Sequence, residues 1–224
     1  MEYVIQRAAR RPSLKGCWEE PAWQNAPTAQ LRHFLAQSKS RHPKVAAKAV
    51  YQDDGIFVFF KVLDKYVRCV QTSYQASVCK DSCVEFFVEP KAGGGYFNFE
   101  INAGGTLLLH FNELRTARSG PAGFKRRLVP WQLGRQVEIY HSLPRTVNPE
   151  IKAATEWRVE YFIPFTIFEH YLGRLGPIPG QVWRGNFYKC ADLTSRPHWL
   201  AWAPMGPELN FHLPKFFAPI KFRA

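Results

Sequence analysis

Short stretches rich in β-branched and aromatic residues, separated by turn-forming residues, constrain the fold of this chain more than any other feature. Turn signals lie between neighbouring stretches at Asp53-Asp54-Gly55, at the glycines of 93–95 and at Gly104-Gly105. Such punctuation is typical of antiparallel strands joined by tight turns. The predicted strands are residues 45–51, 56–63, 83–89, 96–102, 106–111, 136–140, 157–163, 182–189, 199–203 and 216–222. The sequence therefore predicts an all-β fold, an antiparallel β-sandwich of about ten strands.

One short helix is expected within this pattern. Pro164 stands where a first-turn proline is tolerated, and Phe165, Phe168 and Leu172 then recur at helical spacing until Gly173. The stretches 115–135 and 144–149 are predicted to be loops, and neither is long or polar enough to be a domain linker. We therefore expect a single domain over residues 1–224.

Composition excludes a disordered chain, because 46% of the residues are hydrophobic and Gly and Pro occur at ordinary frequency. The longest apolar run, residues 56–60, is far shorter than the roughly 20 residues that cross a membrane. Residues 1–11 lack the apolar segment of a secretory signal, so the chain as written is expected to be cytoplasmic, or secreted or periplasmic if a leader was removed. The five cysteines are an odd set, which predicts free thiols.

The formal net charge of +12 raises the question of an anionic partner. Nucleic acids and acidic saccharides both reward clustered positive charge. The clusters all lie in predicted termini or loops, which favours a hydrated surface over nucleic-acid binding and leaves an acidic saccharide as the alternative. They are residues 7–11, Lys39 with Arg41, Lys44 and Lys48, Arg115 with Arg118, and residues 125–127.

Strand alternation assigns polar side chains to one face of the predicted sheet. Phe97, Phe99 and Ile101 share one face of their strand, so the polar residues between them share the other. Carboxylates, amides, a guanidinium and aromatic rings on one face are typical of a saccharide-binding surface, and also of an ordinary hydrated face. Both interpretations stay open. The polar residues on this face are Glu85, Asn98, Glu100, Asn102, Arg184 and Asn186.

An aromatic cluster near the C-terminus adds candidate platforms for a sugar ring. Trp199 and Trp202 lie three residues apart, and Phe211 follows in a segment that contains proline. Aromatic side chains of this kind either line a groove or fill the core of a sandwich, and the sequence alone does not separate the two.

Common catalytic motifs for nucleotide, lipase and metalloprotease chemistry are absent from the sequence. A glycoside hydrolase needs two carboxylates about 5 to 9.5 Å apart that flank one bond. Glu85 and Glu100 could form such a pair if their strands are neighbours, so a glycan-active enzyme is the alternative function.

Metal sites and haem are weaker candidates. Cys69, Cys79 and Cys83 cluster, but no second Cys/His pair completes a tetrahedral zinc site, so buried thiols are favoured. No cofactor is required, although a structural calcium ion is considered at predicted strand ends and turns. A haem-binding sandwich is a further alternative, because Met205 lies near His198 and His212. The calcium candidates are Asp53, Asp54, Asp64 and Asp81.

Several motifs, in order along nearly the whole chain, make the sequence similar to the family 9 carbohydrate-binding modules, and more closely to the stand-alone family 9-like proteins. The resemblance implies an antiparallel β-sandwich that binds sugars without cleaving them, in polysaccharide catabolism, at the reducing ends of glucan and xylan chains in the founding modules, with structural calcium. The motifs that carry it are DSCVEFFV at 81–88, DGIFV at 54–58, VLD at 62–64, WRVE at 157–160, IPF at 163–165, NFYKC at 186–190 and FHLPKFF at 211–217.

The resemblance also implies roles for individual residues. Glu85 falls at the sugar-binding glutamate of the family, and Asn102 falls at a sugar-binding asparagine. The two tryptophans that sandwich the sugar in the founding modules correspond to Cys79 and Phe211 here, and the ligand arginine corresponds to Glu100. The founding slot is therefore altered. We expect non-catalytic saccharide binding by Glu85, Asn98, Glu100, Asn102, Arg184 and Asn186, with Trp199, Trp202 or Phe211 as the platform.

Overall fold

The computed structural model describes residues 1–115 and 123–223. Two helices, α1 (Trp131–Gly134) and α2 (Phe165–Leu172), accompany the strands within this part of the chain. The strands are β1 (Tyr3–Arg7), β2 (Ala29–Leu31), β3 (His33–Phe34), β4 (Lys44–Gln52), β5 (Gly55–Asp64), β6 (Val67–Cys69), β7 (Cys83–Glu89), β8 (Tyr96–Asn102), β9 (Leu107–Arg115), β10 (Gly123–Leu128), β11 (Glu138–His141), β12 (Val147–Ile151), β13 (Thr155–Pro164), β14 (Val182–Cys190), β15 (Trp199–Ala201) and β16 (Ala218–Arg223).

Fourteen of the sixteen strands in the described residues form one long curled sheet whose two halves pack face to face as a β-sandwich. Its order is β10-β9-β8-β7-β14-β16-β1-β4-β5-β13-β11, and pairing is antiparallel except where β1 meets β16 and β4. Phe60 on β5 packs edge-on against Phe187 on β14 at a centroid distance of 5.9 Å, although three strands separate β5 from β14 in the sheet. The predicted β-sandwich is confirmed, with a mixed rather than purely antiparallel sheet.

Apolar side chains fill the space between the two halves. The inward residues of β7 and β8, including Phe86, Phe97 and Phe99, belong to the same buried cluster as Val58 and Phe60 of β5. Full burial of each such side chain stabilises the fold by about 1.5–3 kcal/mol. Strict alternation of apolar and polar residues in β7 and β8 thus places their apolar residues in the core and sends the intervening residues outward.

β5 departs from alternation because it is covered on both faces. Its outward residue Phe59 is fully buried under Trp18 and Trp23, at ring centroid distances of 5.0 and 5.5 Å. A strand covered on both faces is apolar at successive positions rather than at every second one. This explains the run of apolar residues at 56–60.

All ten predicted strands are present, and six further strands were not predicted. The predicted loop 115–135 is wrong where it contains β10 and α1, so the basic residues Lys125 to Arg127 lie on a strand. β10 is exposed along its whole length and therefore shows no apolar periodicity. The predicted loop 144–149 is wrong where β12 begins inside it; β12 pairs with β6 alone in a two-stranded sheet, where Pro149 is tolerated. Arg118 lies outside the described residues.

The predicted helix is confirmed as α2. Its residues Phe165, Ile167 and Phe168 are buried, and Phe168 packs against Phe97 and Trp183 at centroid distances of 5.1 and 5.4 Å. Gly173 ends the helix with φ 67°, in the left-handed region that favours glycine. Neither helix in the described part of the chain has the length and apolar character to cross a membrane.

Candidate functional site

The polar side chains predicted from alternation lie on the outer face, which is the face of β7, β8, β9 and β14 that points away from the core. Antiparallel register sets them in rows across these strands. One row places Glu85 between Tyr188 and Glu100, with Leu108 beyond Glu100. The outer face is therefore built by four neighbouring strands, and its composition follows directly from the alternation of each.

Loops cover this outer face and enclose a cavity of about 470 Å³ above it. The floor comes from β7, β8, β9 and β14, and the walls come from residues 75–79, from β10, and from the segments after β14 and β15. The outer face is consequently buried rather than hydrated, since Glu85 is only 2% exposed. The lining residues are Gln75, Ser77, Cys79, Glu85, Phe87, Glu100, Leu108, His110, Arg126, Cys190, Asp192, Trp199, Leu209, Asn210, Phe211 and His212.

Two carboxyl groups stand side by side on the floor. Glu85 and Glu100 are directly opposite on β7 and β8, and both are buried. Burial, with the neighbouring Glu100, raises the pKa of Glu85 well above its ordinary value, and burial raises the pKa of Glu100 to about 7. The pair therefore holds at least one proton at neutral pH, which provides a hydroxyl donor and carboxylate acceptors in one place.

Hydrogen bonds fix the orientation of both carboxyl groups. Cys190 Sγ donates to Glu85 Oε1 at 3.0 Å, and Asn98 Nδ2 donates to Glu100 Oε1 at 2.7 Å. Asn98 is in turn held by Asn112, whose Nδ2 donates to Asn98 Oδ1 at 2.7 Å. One oxygen of each carboxyl group is thus engaged by the protein, and the other is available to a ligand in the cavity.

Two histidines in the lining are neutral at physiological pH. Burial lowers the pKa of His110 and of His212 to about 4. His212 Nδ1 lies 2.9 Å from the Tyr96 hydroxyl, which orients its ring. Neutral imidazoles offer one donor and one acceptor each, which are the two functions that hydroxyl groups of a ligand need.

Two aromatic rings line the cavity next to its polar floor. Phe211 stacks on Tyr188 with a centroid distance of 4.2 Å and an interplanar angle of 9°, so one face of the Phe211 ring is occupied. Trp199 is half-buried, and its Nε1 donates to Asp192 Oδ1 at 2.7 Å. That hydrogen bond holds the indole at the cavity. Because an indole is larger than a phenyl ring, Trp199 offers a larger aromatic surface than Phe211 does.

Four of the nine predicted site residues line the cavity, namely Glu85, Glu100, Trp199 and Phe211. Asn98 lies directly behind Glu100 and positions it. Asn102 is fully buried, and its amide holds the backbone of Gln71 and Thr106 and the carboxylate of Asp81. Its hydrogen-bonding capacity is used within the fold.

The remaining three predicted residues lie outside the lining. Asn186 is fully buried and bonds to the backbone of Ala203 through both its oxygen and its nitrogen. Arg184 donates to the Phe217 carbonyl at 3.0 Å. Trp202 packs in the core between the rings of Tyr3 and Phe187, at 5.8 and 5.9 Å. These three side chains hold the sandwich together.

Sequence reasoning missed several lining residues, above all His110, Asp192, Asn210, His212 and Arg126. One signal was available, because Leu108, His110 and Asn112 alternate along β9 in the same way as the polar residues of β8. The others come from loops and from β10, whose approach to the outer face depends on how the chain folds back. No local pattern in those segments predicts that contact.

The four aspartates considered for calcium do not fit such a site. Asp53 pairs with Arg7 and Asp54 with Arg11, both at the surface. The other two carboxylates, Asp64 and Asp81, also face cationic side chains, and Asp81 additionally accepts two backbone N–H groups. Calcium prefers several converging oxygen ligands and no competing cation. A structural calcium ion stays a prediction, and these residues do not supply its ligands.

The residues considered for haem and for zinc are also dispersed. His198 is buried with Nδ1 at 2.9 Å from the Arg196 carbonyl and Nε2 at 2.7 Å from Lys189 Nζ, so neither ring nitrogen is available to iron. Cys69 Sγ faces the Arg145 carbonyl, away from Cys79 and Cys83. All five cysteines are free thiols, as predicted.

The two glutamates considered for catalysis lie together on the floor of the cavity. Opposed residues on neighbouring antiparallel strands have Cβ atoms about 4.5–5.5 Å apart and point in the same direction. A glycosidase places its carboxylates on either side of the scissile bond. Glu85 and Glu100 instead form a single polar patch on which one edge of a ligand can rest.

Comparison with known proteins gives a consistent result. The family model described as Carbohydrate-binding family 9 matches residues 22–222. No curated protein sequence gives a significant match. Among solved structures, a "putative carbohydrate-binding protein" from Bacteroides uniformis is 26% identical, with a TM-score of 0.86 and 99% of each chain covered.

Two further solved structures share the fold. A family 9 carbohydrate-binding module from Caldicellulosiruptor kristjanssonii in complex with cellotriose is 14% identical, with a TM-score of 0.66 over 100% of this chain and 94% of that one. A family 9 module from the same organism in complex with glucose is 14% identical, with a TM-score of 0.61 over 98% and 95%.

Proposed function

The chain belongs to carbohydrate-binding family 9, and from that premise we propose that it binds a saccharide in the cavity on the outer face without cleaving it. The observation that carries the proposal is the pairing of a buried polar floor with an aromatic wall in one cavity. A binding component of this kind serves polysaccharide catabolism by holding the chain while other proteins act on it.

The chemistry of the lining supports this ligand class. Vicinal hydroxyl groups of a sugar both donate and accept, and the floor offers both functions through Glu85, Glu100 and the neutral His110. The C–H face of a sugar ring is apolar and packs on an aromatic face. Trp199 and Phe211, which line the same cavity, provide that surface.

The cavity size fits the end of a chain rather than its middle. A volume of about 470 Å³ lies within the usual range of about 300–1,000 Å³ for small-molecule sites. Loops enclose it on several sides, so a long chain would enter by one terminus. A terminal mono- or disaccharide unit is therefore the proposed ligand.

We further propose that an acidic sugar is preferred over its neutral counterpart. Arg126 on β10 lines the cavity and contributes a positive charge, and it follows Lys125 and precedes Arg127 on the same exposed strand. A carboxylate on the sugar could reach Arg126 at the rim while the hydroxyls face the floor. Glucuronate should then bind more tightly than glucose, and Arg126→Gln should abolish the difference.

Titration calorimetry with glucose, cellotriose, xylotriose and glucuronate tests the proposal. Truncation of Trp199 to Ala should lower the affinity for the best ligand by at least about tenfold, because it removes the larger stacking surface and costs about 1.4 kcal/mol or more of binding energy. Trp131→Ala is the matched control, since Trp131 on α1 is 55% exposed and lies outside the cavity.

Three outcomes would overturn the proposal or a part of it. The first is the absence of binding heat for every saccharide of the panel at millimolar concentration. The second is an equal loss of affinity in the Trp199→Ala and Trp131→Ala proteins, which would place the binding surface elsewhere. Release of shorter products from any saccharide of the panel would contradict the non-catalytic assignment.

A further inference from the structure

The floor of the cavity also contains a cluster of possible metal ligands, made of two cysteines and one carboxyl group. Cys83 on β7 and Cys190 on β14 are directly opposite each other in the sheet, and Glu85 follows Cys83 on the same face. One donor atom from each of these three side chains lies within 4.8 Å of the other two. All three side chains are buried, with exposures of 0%, 1% and 2%.

The three donor atoms are close to the spacing of a metal site. Around tetrahedral zinc, ligand atoms at about 2.0–2.3 Å from the metal lie roughly 3.3–3.8 Å from one another. Cys190 Sγ and Glu85 Oε1 already lie 3.0 Å apart. The three donor atoms all lie within 4.8 Å of one another, so no separation has to shorten by more than about 1 Å to reach that spacing.

The charge of the surroundings also favours a cation. Glu100 lies directly beside Glu85, and Asp192 lines the same cavity. Glu85, Glu100 and Asp192 place three carboxyl groups around the two thiols, and Glu85 and Cys190 hydrogen-bond to each other rather than to a cationic side chain. A thiophilic cation would take the place of the protons that balance these groups.

We propose that Cys83, Cys190 and Glu85 bind one thiophilic d10 cation, with Zn²⁺ as the natural candidate. On binding, the metal forms bonds to two sulfur atoms and one oxygen atom, and the protons of both thiols and of the Glu85 carboxyl are released to solvent. Cys190 and Glu85 line the cavity, so the ion can enter from it and its fourth position faces it.

Cys79 is not one of the three donor groups. It is half-buried and lines the cavity, and its carbonyl oxygen accepts a hydrogen bond from the Asp192 backbone N–H at 3.0 Å. The fourth ligand is then a water molecule or a ligand hydroxyl from the cavity.

Metal titration of the reduced protein in the Cys17→Ser background tests the inference. Cys17 is the exposed thiol, so its removal prevents adventitious binding at the surface. Cadmium, a spectroscopic substitute for zinc, should give a sulfur-to-metal charge-transfer band that saturates at one ion per chain. Zinc should displace it and raise the temperature of unfolding.

Substitution of the ligands identifies the site. Cys190→Ser should weaken cadmium binding by at least about 100-fold, since even changes behind a first ligand cost 10–100-fold. Cys69→Ser is the matched control, because Cys69 is also buried but bonds to the Arg145 carbonyl away from the cavity. Glu85→Gln is a second ligand variant, which keeps the test valid if a cysteine variant does not fold.

The absence of a charge-transfer band with fully reduced protein would overturn the inference. Equal cadmium affinity in the Cys190→Ser and Cys69→Ser proteins would do the same. Two fewer thiols in the denatured, unreduced protein than in the denatured, reduced protein would show a disulfide instead, and loss of that difference in the Cys190→Ser protein would assign it to Cys190. None of these results depends on saccharide binding, so failure here and failure of the proposed function are distinguishable.

Discussion

Two neighbouring residues of β14 contact two buried carboxyl groups whose surroundings differ. Lys189 points to the inner side of the sheet, where it lies 3.1 Å from Asp64. Cys190 points to the outer face, where it hydrogen-bonds to Glu85. Asp64 and Glu85 are both 2% exposed, yet one faces a fixed cation and the other faces a second carboxyl group.

The charged cluster of Asp64, Lys189 and His198 is internally balanced. Burial alone would raise the pKa of Asp64, but the charge of the neighbouring Lys189 outweighs it and lowers that pKa well below its usual range. His198 Nδ1 faces the Arg196 carbonyl and so carries the proton, which leaves Nε2 to accept from Lys189. Every charge in this cluster has its partner within the protein.

The carboxyl pair of Glu85 and Glu100 is balanced by protons instead. Neither carboxyl group contacts a cationic side chain in the hydrogen bonds and ion pairs of the described residues, and burial raises the pKa of both. Such a pair is costly to ionise, and a fold with no use for it would gain from an apolar replacement. The contrast agrees with the ligand role proposed above for the carboxyl pair, whereas each charge of the charged cluster is matched within the fold.

The largest predicted effect follows from removal of the anion of the charged cluster. Asp64→Asn leaves the Lys189 ammonium buried without a counter-charge, and breaking a buried pair in this way costs about 3–5 kcal/mol. The free energy of unfolding, measured by urea denaturation at neutral pH, should fall by that amount.

Asp53→Asn is the control for this change. Asp53 pairs with Arg7 at the surface, where its side chain is 81% exposed, and exposed pairs contribute about 0–1 kcal/mol. Equal stability losses in the two variants would show that Lys189 finds another partner and would remove the distinction between the two centres.

The second prediction concerns the carboxyl pair, where the substitution should raise the free energy of unfolding at high pH rather than lower it. The pKa of Glu100 is raised from 4.5 to about 7 on folding, so between these values the folded state binds more protons than the unfolded state. Stability from this group is then full below about pH 4.5 and is lost as the pH rises towards 7. Glu100→Gln cannot lose a proton and should escape that loss.

The measurement is urea unfolding of both proteins at pH 5 and pH 8 in the presence of a metal chelator. Relative to wild type, the Glu100→Gln protein should gain about 1–3 kcal/mol between the two pH values. Its affinity for the best saccharide should fall, because the amide replaces a group that faces the ligand. A variant that is less stable than wild type at pH 8 would assign a structural role to the pair.

The features that could be predicted from the sequence are those that depend on the alternation of side chains along a strand. The bounds of β7 and β8 are as predicted, because one face of each strand is apolar and the other is not. The same rule, applied to Trp199 and Trp202, separates them, since residues three apart on a strand face opposite sides. Only one of the two could reach the cavity, and the structure places Trp199 there.

Contacts between distant segments could not be read in this way. Asp64 stands at the end of β5 and was considered for calcium, whereas its partner Lys189 comes from β14, which is not a neighbour of β5 in the sheet. Likewise, the cover over the outer face depends on loops and on the wholly exposed strand β10. Local periodicity carries no information about which buried carboxyl group will meet a cation.

The smallest predicted effect comes from removal of both charges of the cluster. Replacing a buried ion pair by uncharged residues of similar volume is often neutral or stabilising, by about 1–4 kcal/mol, because the cost of burying two charges disappears. The double variant Asp64→Asn, Lys189→Met should therefore recover most of the stability lost in Asp64→Asn. Its unfolding free energy, compared with those of the two single variants in a double-mutant cycle, measures the coupling between the charges.

Recovery would show that the cluster requires only that no buried charge is left without a counter-charge. The carboxyl pair satisfies the same requirement by binding a proton. A double variant as unstable as Asp64→Asn would instead show that the charges themselves, through His198 or the ring of Trp157 at 5.8 Å from Lys189 Nζ, are required.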